Sequence, residues 1–375
     1  MRQIQPTTPA GGGRLLSLDI FRGITIAAMI TVNDPGIEER VYAPLEHAKW
    51  NGFTPTDLVF PSFIFIAGVS VALSYSGQTA KGISRGIMIR KTLRRAFLLF
   101  TIGVLLSILP YFDYANYRIP GVLQRIAIVY TACALLFLYT GWKTQAWLFA
   151  ILLTGYWLAM TLVPVPGYGH TLLEPGRNLA AWLDAIVIPG RLWQGSWDPE
   201  GVLSTLPAIA SGIAGMLTGQ LLLTGLSAER KILGLFLAGF LAYLLSLGWN
   251  TCFPINKNLW TSSFVLHTAG LDSMILASLY FIVDLLGYKR WSKWALVFGS
   301  NAITAYLVAE AFGDLLTIHW GDRQKGFCLQ EWIIGKMLPT GISPELLSLL
   351  WALAFCSLCF IPIYYLYHKK ISLKI

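Results

Sequence analysis

Of 375 residues, 13% are charged and 55% are hydrophobic, against about 25% charged in an ordinary soluble domain. That balance excludes a water-soluble globule and a disordered chain, and the apolar residues gather in repeated long blocks, the pattern of an all-α, polytopic membrane protein. The net charge of +9 does not require nucleic acid, because basic cytoplasmic loops and membrane lipids with anionic head groups account for it.

A crossing takes around 20 residues, so the chain has room for about ten transmembrane helices, expected at 16–33, 57–76, 92–110, 120–140, 143–163, 201–224, 231–252, 261–286, 294–317 and 345–367. The first apolar segment carries Asp19 and Arg22 and runs into Asn33, Asp34, Pro35 and Gly36 with no small-residue cleavage site. It reads as a retained helix, not a signal peptide. Lys and Arg collect in alternate connections: Lys81, Arg85, Arg90, Lys91, Arg94 and Arg95, then Lys143, then Arg230 and Lys231, then Lys289, Arg290 and Lys293, then Lys369, Lys370 and Lys374. Arg2 and Arg14 agree with them, which puts both termini in the cytoplasm, residues 1–14 as a short tail there, and 34–56, 164–200 and 318–344 as external loops. The expectation is one transmembrane domain over 1–375, multi-pass, in a bacterial inner membrane.

Charged and amide side chains inside such helices carry a cost of a few kcal/mol, so they usually face a partner or a water-filled cavity. Asp19 and Arg22 stand three apart, on one face of the first helix, and pair with each other or serve a cofactor. Asn33 closes that helix. His47 follows in the external loop, ahead of the apolar run that starts at Leu58, with polar and turn-forming residues between. Asp57 opens the second helix, where an acid complements the helix dipole. Gln124 and Arg125 lie about a turn inside the fourth; Arg125 snorkels outward, or holds an anionic ligand or the Asp57 carboxylate. Asn256, Lys257 and Asn258 form a polar turn at the mouth of the eighth helix, and Asn301 and Glu310 interrupt the ninth. No metal site is expected: no His, Cys, Asp and Glu set has metal-ligand spacing, Cys356 and Cys359 lie in an apolar span, and no phosphate loop or nucleophile elbow occurs.

The blocks RLLSLDIFRGITIAAMITVN, EHAKWNGFTPTDLVFPSFIFIAG, RIPGVLQRIAIVY, DPEGVLSTLPAIASGIAGMLTGQ and PINKNLWTSSFVL occur in this order across nearly the whole chain. They resemble the transmembrane domain of the heparan-α-glucosaminide N-acetyltransferase family, within the transmembrane acyltransferase superfamily. The resemblance implies an enzyme that takes acetyl-CoA from the cytosol and acetylates the amine of a terminal glucosamine beyond the membrane. It also implies that His47, in EHAKWNG, is the essential histidine and that Asn33 matches a family asparagine. The lysosomal member carries an additional luminal region ahead of its helices, whereas this chain starts almost directly at the first of them, a departure that bears on heparan sulfate as acceptor.

The residues suit such a role. An ammonium is no nucleophile, and imidazole is the side chain with proton affinity matched to deprotonating it near neutral pH. His47 then acts as general base, or attacks the thioester and carries the acetyl group as an acyl-imidazole. Asn33, or an amide of the Asn256–Asn258 turn, donates to the developing oxyanion. Asp57, Arg125, Asn256, Lys257, Asn258 and Glu310 are the candidates for binding the amino-sugar acceptor. CoA phosphates belong on the cytoplasmic side, where Arg14, Arg22, Arg90, Arg94 and Arg95 are candidates, with Asp19 beside Arg22. The rival reading is a transporter, which would show two halves with matching interruptions; the TPTDLVFP block has no counterpart in the second half. Small-residue helix faces permit a homodimer.

Overall fold

The computed structural model describes residues 15–108, 117–319 and 326–371; Arg14 falls outside them. The described chain folds as α1 (Leu16–Asn33), α2 (Val59–Ala80), α3 (Arg85–Ile108), α4 (Val122–Tyr139), α5 (Trp142–Leu162), α6 (Leu179–Val187), α7 (Thr205–Leu223), α8 (Ala228–Trp249), α9 (Ser262–Leu279), α10 (Lys293–Ser300), α11 (Ala302–Thr317), α12 (Leu329–Met337) and α13 (Pro344–His368). One two-residue hairpin, β1 (Leu173–Glu174) with β2 (Arg177–Asn178), interrupts the helices. The protein is thus an all-α integral membrane protein.

Eight of the described helical segments are long and apolar enough to cross a membrane, and α10 with α11 makes a ninth if counted as one bent span. The expected spans lie on these helices with two departures. The segment 92–110 falls on α3, whose first half carries Arg85, Arg90, Lys91, Arg94 and Arg95 and is too charged to count among these spans. The expected continuous helix 294–317 is broken by 76°. Asn301 makes the break: its backbone leaves the helical region at φ −132° and ψ 46°, and its Nδ2 donates to the Ile371 carbonyl at 3.3 Å. The helices α6 and α12 and the hairpin add structure within the expected external loops.

The described chain forms two compact units. The first takes in residues up to 18, 48–53 and 60–288. Its core is built on Ile64, Cys133, Ile213, Met216, Trp260 and Phe264. Small residues let α2 and α7 approach at backbone distance. A Cβ on Gly215 would lie 2.0 Å from the Phe65 carbonyl oxygen, a clash that only movement of two helices relieves. Gly215→Ala is therefore expected to lower stability by about 1–3 kcal/mol or more, read as thermal unfolding in detergent, with Gly225→Ala, which meets nothing within 4 Å, as the neutral control.

The second unit takes in residues 19–47, 54–59 and those from 289 onward. There α1 and α10 touch through glycine: a Cβ on Gly23 would lie 1.7 Å from the Ala295 carbonyl oxygen. The loop after α1 is fastened to α13 by Gly36, whose N–H donates to the Ser348 carbonyl at 3.3 Å, and by the Ile37 N–H, which donates to Ser348 Oγ at 3.1 Å.

Candidate active site

The second unit holds His47, and a turn at the start of the second membrane helix positions it. Residues Pro55–Leu58 form a 3₁₀ turn leading into α2, with Pro55 at its first position and Thr54 as N-cap. A proline there fixes the backbone without forfeiting a needed donor. Thr54 and Asp57 make a reciprocal capping box. In it the Thr54 N–H donates to Asp57 Oδ2 at 3.0 Å, which orients the carboxylate and sets Oδ1 against His47.

His47 Nδ1 sits 2.6 Å from that Oδ1. The Asp57 side chain is 1% exposed and the imidazole 48%. A carboxylate accepts, so the shared proton belongs on Nδ1 and the lone pair on Nε2. Thr54 Oγ1 has one proton to give; its contact with the Glu46 carbonyl, at 2.6 Å, is shorter than its 3.2 Å contact with Asp57 Oδ2. The proton therefore ties the residue before His47 to the helix start. The arrangement is that of an orienting acid and a fixed, half-exposed imidazole.

Asn33 ends α1 in the same unit and is exposed. Next to it, burial and the neighbouring acids Glu310 and Asp314 push the Asp34 carboxyl up from 3.8 to about 7. A shift in this direction means the folded state holds its proton more tightly, so stability is present at low pH and is lost as pH rises from about 4 through about 7. Asp34→Asn is thus expected to be the more stable protein above about pH 7 and to converge with the parent in acid, a comparison of unfolding midpoints across pH. Glu310, a sequence candidate, accordingly belongs to a group of three acids. A shallow groove lined by Thr31, Pro35, Tyr42 and Leu45 from the α1 side and by Glu345 and Ser348 of α13 adjoins this loop.

The first unit holds the other outer-side candidates. Arg125 is 1% exposed, donates from one Nη to the Gly201 carbonyl at 3.0 Å and Ser204 Oγ at 2.5 Å, and stacks 5.1 Å over the Trp260 ring. Its Nε and other Nη have no partner among the described residues. The Gly201 segment is fixed in turn by Arg118, which reaches Asp198 with a fork of 2.8 and 2.6 Å. Asp57 and Arg125 thus each have partners of their own within their units. Asn256 is fully buried, and both its amide atoms are used: Nδ2 donates to Asn51 Oδ1 at 3.0 Å and Oδ1 accepts the Leu259 N–H at 2.9 Å. It holds a turn in which Trp260 adopts φ +52° and donates to Ser211 Oγ at 3.1 Å. A bulky residue in that region carries backbone strain. Lys257 and Asn258 are half-buried in the same turn.

Among the residues expected on the cytoplasmic side, Arg22 pairs with Asp19 at 3.1 Å and approaches the Gly299 carbonyl at 3.5 Å, which realises the mutual ion pair. Arg90, Arg94 and Arg95 are exposed on α3, with Arg95 lying 5.1 Å over the Tyr130 ring. The residues that sequence reasoning missed are Thr54, Asp34, Asp314 and Trp260. Only Thr54 left a local signal, the Thr-x-x-Asp spacing of a capping box ahead of an apolar run.

Residues 14–253 match the family described as heparan-alpha-glucosaminide N-acetyltransferase, catalytic, a range that takes in Asn33, His47, Asp57 and Arg125. Proteins named heparan-alpha-glucosaminide N-acetyltransferase from Homo sapiens and Mus musculus are 31% and 30% identical to it, over alignments that cover 99% of this chain. The chain spans 62% of the length of each relative. The extent of the family match and the near-complete coverage of the chain agree, and the chain belongs to the heparan-α-glucosaminide N-acetyltransferase catalytic family.

Proposed function

We propose that this protein is a transmembrane N-acetyltransferase that moves the acetyl group of cytosolic acetyl-CoA to the amine of a terminal glucosamine or related amino sugar on the outer side, in a bacterial inner membrane the periplasm. The observation that carries this reading is the buried Asp57 carboxylate 2.6 Å from Nδ1 of a half-exposed His47. Asp57 holds the proton on Nδ1, so Nε2 is the basic nitrogen. In direct transfer, the acceptor ammonium first loses one proton to solvent; Nε2 then takes a second N–H proton as the amine nitrogen bonds to the acetyl carbon, the carbon–sulfur bond breaks, and that proton passes from Nε2 to the leaving thiolate. In the two-step route the same Nε2 bonds to the acetyl carbon as the carbon–sulfur bond breaks and CoA leaves as the thiolate, which takes a proton from solvent; the deprotonated amine then bonds to the acetyl carbon, the Nε2–carbon bond breaks, and the amine's second proton leaves to solvent. Acetylation of the enzyme by acetyl-CoA alone selects the second route.

Other groups support the reading. Asn33 supplies an exposed amide one residue from Asp34, and the acids Asp34, Glu310 and Asp314 attract an ammonium. The exposed guanidinium groups of Arg90, Arg94 and Arg95 suit the phosphates of a nucleotide-bearing cosubstrate. Arg125 keeps two donors for an acceptor oxygen. Arg125→Met is expected to lower kcat/KM per folded molecule by about tenfold or more, the loss of one charged hydrogen bond; the Gly201 carbonyl and Ser204 Oγ left unpaired lower the unfolding midpoint as well, so activity is set against the folded fraction of the same preparation. The function itself is tested by incubating membranes containing the protein with labelled acetyl-CoA and a panel of amino sugars. Label in the N-acetyl product supports it; no transfer to any amino sugar overturns it.

A further inference from the structure

Outside the proposed active site, three metal-ligating side chains meet in the second unit. His319, Cys328 and Glu331 each offer one ligand atom, and these atoms all lie within 4.8 Å of one another. We propose that they form a binding site for Zn²⁺, with a fourth position left for water. His319 Nε2 is 3.4 Å from Glu331 Oε1. Zinc bonds of about 2.0–2.2 Å to nitrogen and oxygen at a tetrahedral angle put two such atoms about 3.4 Å apart, so this edge is already set.

The framework that presents the trio does not depend on the ion. Cys328 is the N-cap of α12, which places it and Glu331 one turn apart. Its Sγ lies 3.6 Å from the carbonyl oxygens of both Leu316 and Thr317, at the end of α11 and just before His319. Gln330 Nε2 donates to the Pro35 and Gly36 carbonyls at 3.1 Å each, so the start of α12 is pinned. A surface ion pair between His319 and Glu331 accounts for two of the residues and contributes little. It gives no reason for a buried thiol beside them. Neutral imidazole, thiolate and carboxylate together carry two negative charges, which match a divalent cation; the mix of sulfur, nitrogen and oxygen suits zinc over calcium or magnesium. On binding, the sulfur–zinc bond forms as the thiol proton leaves to solvent. The ion would clasp the end of α11 to the start of α12.

The test uses the full chain purified in detergent, stripped of metal and titrated with Co²⁺ as a spectroscopic probe. Expected is one Co²⁺ per chain with a thiolate-to-cobalt charge-transfer band, displaced by Zn²⁺, absent in Cys328→Ser, and weakened at least about tenfold in affinity in Glu331→Gln. No thiolate band in the parent protein, the same band in Cys328→Ser, or unaltered affinity in Glu331→Gln would each overturn the proposal. Glu331 has a side chain 70% exposed, so Glu331→Gln decides the matter even if Cys328→Ser does not fold.

Discussion

Replacing His47 by alanine is expected to abolish acetyl transfer, a fall of at least about 10²–10⁴-fold, the usual contribution of a positioned acid–base group. The protein should remain folded. The imidazole is 48% exposed, so little packing is lost, and Asp57 keeps the Thr54 N–H at 3.0 Å, which holds the start of α2 in place. His47→Gln, which restores a hydrogen-bonding side chain without a basic nitrogen, should be equally inactive. The measurement is labelled acetyl transfer set against the unfolding midpoint of the same preparation; substantial transfer by either variant with a parent-like midpoint would remove His47 from the chemistry.

Asp57→Asn should come next in size, lowering kcat by about 10²–10⁴-fold; the upper figure is that of the corresponding change in a serine-protease triad, where the wrong imidazole tautomer results. The reason is geometric. The carboxylate accepts from Thr54 with Oδ2 and faces His47 with Oδ1. In asparagine one of these positions becomes an NH₂. With its oxygen kept on the Thr54 N–H, the amide presents a donor to His47 Nδ1, the imidazole proton moves to Nε2, and the basic nitrogen turns inward. The cap survives, since asparagine is itself a good capping side chain, and the KM for acetyl-CoA should hardly change. A purely structural role for Asp57 would show the opposite pattern, with stability falling and kcat per folded molecule preserved.

Much of the fold was legible because it follows from apolar length. The segments that became α1, α2, α4, α5, α7, α8, α9 and α13 are apolar runs of about the length a bilayer requires or more. The break between α10 and α11 was not, because hydropathy is continuous across 294–317 and the turn at Asn301 is a backbone event that hydropathy does not register. In the site, His47 could be singled out by residue type and by the segment around it. Asp57 could be read as a helix-dipole acid, a partner of Arg125 or an acceptor-binding carboxylate, but not as the partner of His47. Its contact with His47, ten residues away, depends on a 3₁₀ turn and a capping box that fold the loop back. Asp34 lies more than 270 residues from Glu310 and Asp314, so no local pattern joins it to them. For the same reason His319, Cys328 and Glu331, which show no metal-ligand spacing in sequence, are gathered only by tertiary structure.

The central claim is that an imidazole oriented by Asp57 performs the transfer, and chemical rescue addresses it most directly. His47→Gly should be inactive alone and regain labelled acetyl transfer to an amino sugar when free imidazole is added, with much weaker rescue when Asp57→Asn is combined with it. A His47→Gly protein that transfers acetyl at the parent rate without imidazole would contradict the account.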